Sequence, residues 1–201
     1  VSLYWRCLDP LEPLLDQGSF GAAYQALFDG SEMECDEQIF LCTLNLVFAL
    51  STQLQESTPS EQRNGASKTF FLRAWHLLRP EVILWQAGSL EIVPCLLLMT
   101  KYLQCTPNLQ QTWMALGSAV RIALSIGLDH PERNLSGSDR ENQLAQDVWQ
   151  QCAFMDRYGE VFHVCRPRPP LIIPQKPLLV AWAAFHGTSG THFILGATSK
   201  W

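Results

Sequence analysis

From Asn108 onward, Trp113, Leu116, Gly117, Val120 and Leu124 recur at i, i+3, i+4, i+7 and i+11, the repeat that brings side chains to one face of a 3.6-residue helix. A stripe of this kind commits the chain to helix-on-helix packing, because its apolar face has to be covered by another element. That face is expected to be core. Gly117 sits within it although glycine lies about 1 kcal/mol below alanine in helix propensity, which points to a second helix approaching closely there. Gly127 then closes the helix.

The same period governs most of the chain, and strand-type alternation is scarce. Ser19 is placed to cap a helix running through Phe28, with Asp29-Gly30 supplying a left-handed stop. Cys35-Asp36-Glu37 opens a long helix reaching about Leu54, its acids facing the positive end of the helix dipole. Residues Ser57 to Ser67 are rich in Thr, Pro, Ser, Asn and Gly and are expected to be a loop. A helix over Lys68 to Leu78 follows, with Phe71, Ala74, Trp75 and Leu78 at helical spacing and Pro80 beyond its end. The next helical pattern starts at Ser89, but Pro94 removes a backbone donor inside it and predicts a kink or a delayed start. Ser138-Asp-Arg-Glu141 has the form of a capping box opening a long helix. Its buried stripe is expected to be Leu144, Val148, Cys152, Met155 and Phe162, ending before Arg166-Pro-Arg-Pro-Pro170. Short turns joining such helices describe an all-α, multi-helix, bundle-like domain.

At 201 residues and 47% hydrophobic, the chain can bury a real core as one domain. Its net charge of −5 and only 14 scattered Lys and Arg exclude this segment as the part that grips a nucleic-acid backbone, which takes clustered cations. The longest apolar run, Ile39 to Leu50, is broken by Thr43 and Asn45 and is too short for a bilayer span, so no membrane role is expected. No basic segment followed by an apolar run opens the chain as a secretory signal would. Seven cysteines, at 7, 35, 42, 95, 105, 152 and 165, include no Cys-x-x-Cys pair. A zinc cluster requires thiolates at such short spacing, so these read as reduced thiols packed as small hydrophobes. The sequence begins at Val1 with a helical pattern already under way at Leu3-Tyr4-Trp5, as expected of a segment truncated at its N-terminus.

Three blocks in fixed order carry a family likeness. They are Ser89-Leu-Glu91 leading through Leu96-Leu-Leu98 to Tyr102-Leu-Gln104; Trp113 through Gly117, Ala119, Arg121 and Ala123 to the Leu128-Asp-His130 turn; and Asp147-Val-Trp149 leading to Asp156-Arg157. With Tyr4, Pro10, Pro13 and Phe20 near the start, this order resembles the fungal-specific transcription factor domain, the middle homology region of binuclear zinc cluster regulators. The resemblance implies a regulatory domain over 1–173, control of RNA polymerase II transcription and nuclear localisation. It implies no cofactor in this segment, with zinc expected in an N-terminal cluster missing from it. DNA would be met through that missing module. Other transcription proteins are the implied partners, and a small-molecule effector and a homodimer are compatible with the family. Residues 174–201 depart from the family pattern and are expected to be a poorly ordered tail; from Leu171 onward the chain has no acidic residue.

No catalytic, cofactor-binding or metal site emerges. His76, His130, His163, His186 and His192 form no His-x-x-x-His pair, and His163 and Cys165, two apart, would diverge on a helix. No Gly-rich phosphate cradle, nucleophile elbow or paired carboxylate motif is present, so the chain reads as no enzyme. Asp156-Arg157 is either a structural clamp or a solvated pair. Trp75, Trp85, Trp113 and Trp149 are pocket candidates, each weighed against ordinary core packing. The alternative function is a helical protein-interaction or metabolite-binding protein without its own DNA-binding module.

Overall fold

The computed structural model describes residues 1–78, 88–130 and 138–162, with side chains of the last helix as far as Arg157. Seven α-helices and no strand occur among the described residues: α1 (Ser2–Cys7), α2 (Gln17–Asp29), α3 (Glu37–Gln53), α4 (Ser60–Leu77), α5 (Ile92–Gln104), α6 (Leu109–Ser125) and α7 (Asp139–Phe162). The all-α expectation is met. The expected turn at Arg166 to Pro170, Trp85, Pro80, His163, Cys165, His186, His192 and the tail 174–201 lie outside the described residues.

Helix α5 is the centre of the body. Eleven of its thirteen residues, Ile92 through Thr100 together with Tyr102 and Leu103, are buried, and α3, α6 and α7 all pack against it. Helices that are apolar on all sides are stable only when surrounded in this way. Pro94 is the third residue of α5, where an amide has no intrahelical partner in any case. The helix therefore starts late, at Ile92 rather than Ser89, and needs no kink.

Helices α3 and α4 form an antiparallel pair joined by Leu54–Pro59. The Ser67 hydroxyl donates to the Ala49 carbonyl at 2.7 Å, the Cys42 thiol donates to the Ala74 carbonyl at 3.3 Å and the Gln38 amide donates to the Leu77 carbonyl at 2.6 Å. Partners thus descend along α3 as they ascend along α4. Cys42 and Ala49 on one helix, and Ser67 and Ala74 on the other, are each seven residues apart and fully buried. Two small side chains per helix, a heptad apart, let the backbones approach along one seam. Phe71 of α4 also stacks on Tyr102 of α5, with ring centroids 4.3 Å apart.

This pairing corrects the expected loop over Ser57 to Ser67. Pro59 occupies the N-cap and α4 starts at Ser60; in its first half only Ser67 is buried, Ser60, Glu61, Gln62 and Asn64 face solvent, and the half-buried Arg63 donates to the Gln55 carbonyl at 3.2 Å. Helix α2 is also capped differently from the expectation. Asp16 is the N-cap, accepting the Ser19 amide at 2.7 Å, so Ser19 is the donor and not the cap. The stop at Gly30 (φ 67°) stands as expected.

The contact face of α6 is rotated from the expected one. Thr112, Ala115, Leu116, Ala119, Val120 and Ala123 are buried, whereas Trp113 is 45% and Leu124 41% exposed. Leu116 and Val120 of the expected stripe stay in the contact, and the three alanines beside them permit close approach while Trp113 and Leu124, at the edges of the stripe, turn outward. Nor does a helix approach Gly117, where an added Cβ would meet only the Arg121 side chain. The close approach is at Gly88, where a Cβ would come within 3.0 Å of Ile122 and 3.1 Å of Ile126 on α6. Gly127, at φ 74°, follows α6 as expected.

Helix α7 opens on the expected capping box. The Ser138 amide donates to Glu141 Oε2 at 2.7 Å, and the Glu141 amide donates to Ser138 Oγ at 3.4 Å. Val148, Cys152 and Met155 are buried, with Ala145 and Ala153 beside them; Leu144 is half-buried, and the Phe162 side chain lies outside the described set. At the other end of the chain, Tyr4, Trp5, Phe20 and Phe40 make successive ring contacts with centroids 5.1 to 5.5 Å apart, tying α1 and α2 onto α3.

Candidate functional site

The N-terminal halves of four helices border one groove. Its walls are Leu14 to Ala23 around the start of α2, Glu34 to Thr43 at α3, Ser89 to Pro94 at α5 and Ser138 to Leu144 at α7. The volume is about 790 Å³, within the range of small-molecule sites. Buried Leu14, Phe20, Ile39 and Phe40 make an apolar floor, with the buried Thr43 among them. Ala22 lies in the wall and is exposed.

Each bordering helix brings its own acid to its start. Asp16 caps α2, Asp36 caps α3 by accepting the Ile39 amide at 2.9 Å, Glu91 precedes α5 and Glu141 closes the box of α7. Helix N-termini attract anions through open amides and the dipole, and at α2, α3 and α7 the protein's own carboxylates occupy those positions, whereas Glu91 makes no cap hydrogen bond to α5. Glu91 also accepts the Asp36 amide at 3.3 Å, tying α5 to α3. Burial raises the Glu91 carboxyl above its ordinary value, although that amide opposes the shift. Burial likewise raises the nearby Cys35 thiol, with Glu91 adding to it.

Across the mouth, Arg140 Nε lies 2.5 Å from Asp16 Oδ1, linking the starts of α7 and α2. Gly18 makes room for this link, since a Cβ there would stand 3.1 and 3.2 Å from the two guanidinium nitrogens. Burial alone would raise Asp16, but the Ser19 amide and hydroxyl together with Arg140 leave its carboxyl below the ordinary range. Because Arg140 is 68% exposed, the pair is a latch that fixes geometry more than a source of stability.

None of Trp75, Trp113 and Trp149 lines this groove. Trp75 is 48% exposed on α4 and Trp113 lies on the outer face of α6, so neither is the core residue that simple packing would make it. Trp149 is half-buried against the core. His76 is exposed on α4, and the exposed His130 lies 3.6 Å from Asp129, in the turn after α6. Asp156 is half-buried and Arg157 exposed on α7. Cys42, Cys95 and Cys152 are buried free thiols. The Cys95 thiol hydrogen-bonds Cys42 Sγ at 3.3 Å, and this contact together with burial pushes the Cys42 thiol upward. Burial, aided by Asp156, raises Cys152 to about 12. Thiols held protonated in this way are poor ligands and nucleophiles. Among the described residues, no group of three or more His, Cys, Asp and Glu side chains is arranged to hold a metal, so a zinc cluster does not fit here.

Asp16, Gly18, Glu91 and Arg140 were not singled out in the sequence. Asp16 was findable, because aspartate three residues before Ser19 is as good a cap as serine. The role of Arg140 depends on α7 reaching α2, which no local pattern announces.

The sorbicillinoid biosynthetic cluster transcription factor sor3 of Hypocrea jecorina is 44% identical over 171 residues, covering 81% of this chain and 26% of that protein. The sorbicillinoid biosynthetic cluster transcription factor 2 of Penicillium rubens is 40% identical over 199 residues, 94% of this chain and 29% of its own length. Cutinase transcription factor 1 beta of Fusarium vanettenii is 28% identical over 161 residues, 78% of this chain and 18% of that protein. The chain thus spans less than a third of each of these relatives, which are named as transcription factors. No solved structure matches it. Residues 1–159 match the fungal specific transcription factor domain, and the chain belongs to that family.

Proposed function

We propose that this chain is the regulatory domain of a nuclear transcription factor that controls RNA polymerase II transcription of a small-molecule biosynthetic gene cluster. The observation that carries the reading is the family match over residues 1–159. Similarity to two proteins named as sorbicillinoid cluster regulators narrows it to biosynthetic genes. The domain is taken to occupy 1–173, with 174–201 outside it. DNA is contacted by a zinc cluster elsewhere in the full polypeptide, since a segment of net charge −5 is unsuited to gripping phosphates. The groove receives a small effector, and the outer helix faces are available to other transcription proteins or a second copy. No helix among the described residues is long and apolar enough to cross a membrane.

Deleting the coding gene and measuring transcripts genome-wide tests this. Transcripts of one contiguous biosynthetic cluster are expected to change together, and a transcriptome indistinguishable from the parent under producing conditions would refute the reading. The groove also favours a second reading, a metabolite-binding protein without its own DNA-binding module. A full-length transcript encoding two Cys-x-x-Cys pairs upstream favours the first reading, and an intact transcript without them the second.

A further inference from the structure

We propose that the groove between α2, α3, α5 and α7 selects a small, largely apolar molecule whose polar head donates hydrogen bonds and carries no negative charge. This rests on reading the groove as the effector site and specifies what it accepts. The floor of Phe20, Ile39 and Phe40 offers only apolar contact, so the body of the ligand is apolar. The head is fixed by the rim. Among the described residues, Asp16, Glu34, Glu91 and Glu141 line it against the cation Arg140, a formal charge of −3. The four helix starts offset this by about +2 in partial charge, and the rim stays negative.

The arrangement of those acids matters as much as their sum. A groove bordered by helix N-termini would ordinarily suit a carboxylate or phosphate. Here Asp16 and Glu141 are committed to their own helices, Glu91 to the Asp36 amide, and Arg140 to Asp16. An incoming anion finds the capped starts of α2 and α7 and the Arg140 guanidinium already engaged, and it meets the rim carboxylates. A hydroxyl or ammonium head finds acceptors in the Glu34 and Glu91 carboxylates at the rim. The 790 Å³ volume suits a compact molecule of one or two rings or a short chain. The Arg140–Asp16 pair, already formed, holds the rim in place beside it.

Three dansyl dyes with one spacer and different heads test this on the whole chain: dansylcadaverine with its ammonium, and matched dansyl amides ending in a hydroxyl or a carboxylate. Fluorescence titration is expected to show the ammonium and hydroxyl dyes saturating at about one per chain, with the carboxylate dye about tenfold weaker or worse. Ala22→Trp, which fills the groove from its exposed wall, should abolish binding while circular dichroism stays helical. Combined Glu34→Gln and Glu91→Gln should bring the carboxylate dye to within about threefold of the others. Equal binding of all three dyes, blocked by Ala22→Trp, would overturn the proposed head chemistry and leave the groove as a site. No binding of any dye, or binding that a folded Ala22→Trp protein retains, would overturn the groove itself.

Discussion

The seam between α3 and α4 makes a sharp prediction about side-chain size. Ala74 is fully buried, and its carbonyl accepts the Cys42 thiol at 3.3 Å. One heptad away, Ser67 and Ala49 repeat the contact at 2.7 Å. Ala74→Leu keeps helix propensity almost unchanged but puts an isobutyl group where the backbones are closest. Overpacking a formed core costs about 1–3 kcal/mol. At about 2–4 °C per kcal/mol for a chain of this size, the melting temperature should fall by about 2–12 °C. Ala66→Leu is the control, because Ala66 is exposed on the same helix and a change there should stay within about 0.5 kcal/mol. Thermal unfolding followed at 222 nm, with urea titration as a check, reads both. If Ala74→Leu melts at or above the Ala66→Leu protein, α4 does not pack on α3 through this seam.

Three further perturbations address other elements. Trp113→Ala should change stability by less than about 1 kcal/mol because the ring is on the surface, whereas Leu97→Ala in α5 should cost about 2–5 kcal/mol; a similar loss from both in urea denaturation would return Trp113 to the core. Ser138→Ala should cost about 1 kcal/mol through the lost cap of α7, and no change in unfolding midpoint would mean the helix starts elsewhere. Asp16→Ala should cost about 1 kcal/mol at pH 7. With the folded carboxyl below its ordinary value, this contribution is complete above the unfolded value of about 3.9 and is lost as pH falls through the lower folded value. The wild type and variant should therefore converge in acid, and a gap that widens on acidification would contradict the assigned shift.

What could be read from the sequence was set by local chemistry. The capping box at Ser138, the glycine stops at Gly30 and Gly127 and the delayed start of α5, which puts Pro94 in its first turn, depend on few neighbouring residues, and they stand in the structure. The family blocks also land where their order implies, with Tyr4 and Phe20 in the core. Two of the differences share one cause, the use of side-chain bulk to locate contacts. Ala74, Leu116 and Val120 of the expected stripes are buried, but Ser67, Ala115, Ala119 and Ala123 join them in the contacts of α4 and α6, small residues that carry little hydrophobic signal but allow close approach. That logic hid the first half of α4 and left Trp113 and Leu124 on the wrong side of α6. The groove was invisible for a different reason, because it joins residues from four helices whose relative placement follows from packing on α5.

The central claim is that this helical body regulates transcriptional output without itself holding DNA. Ala22→Trp in the full polypeptide tests it most directly, by measuring cluster transcripts in cells and duplex affinity with the purified protein. Output is expected to change by about fivefold or more, the lower end of a typical coupling between sites, while duplex affinity stays the same. A folded variant with unaltered output, or one whose DNA affinity falls in step with its output, would contradict the account.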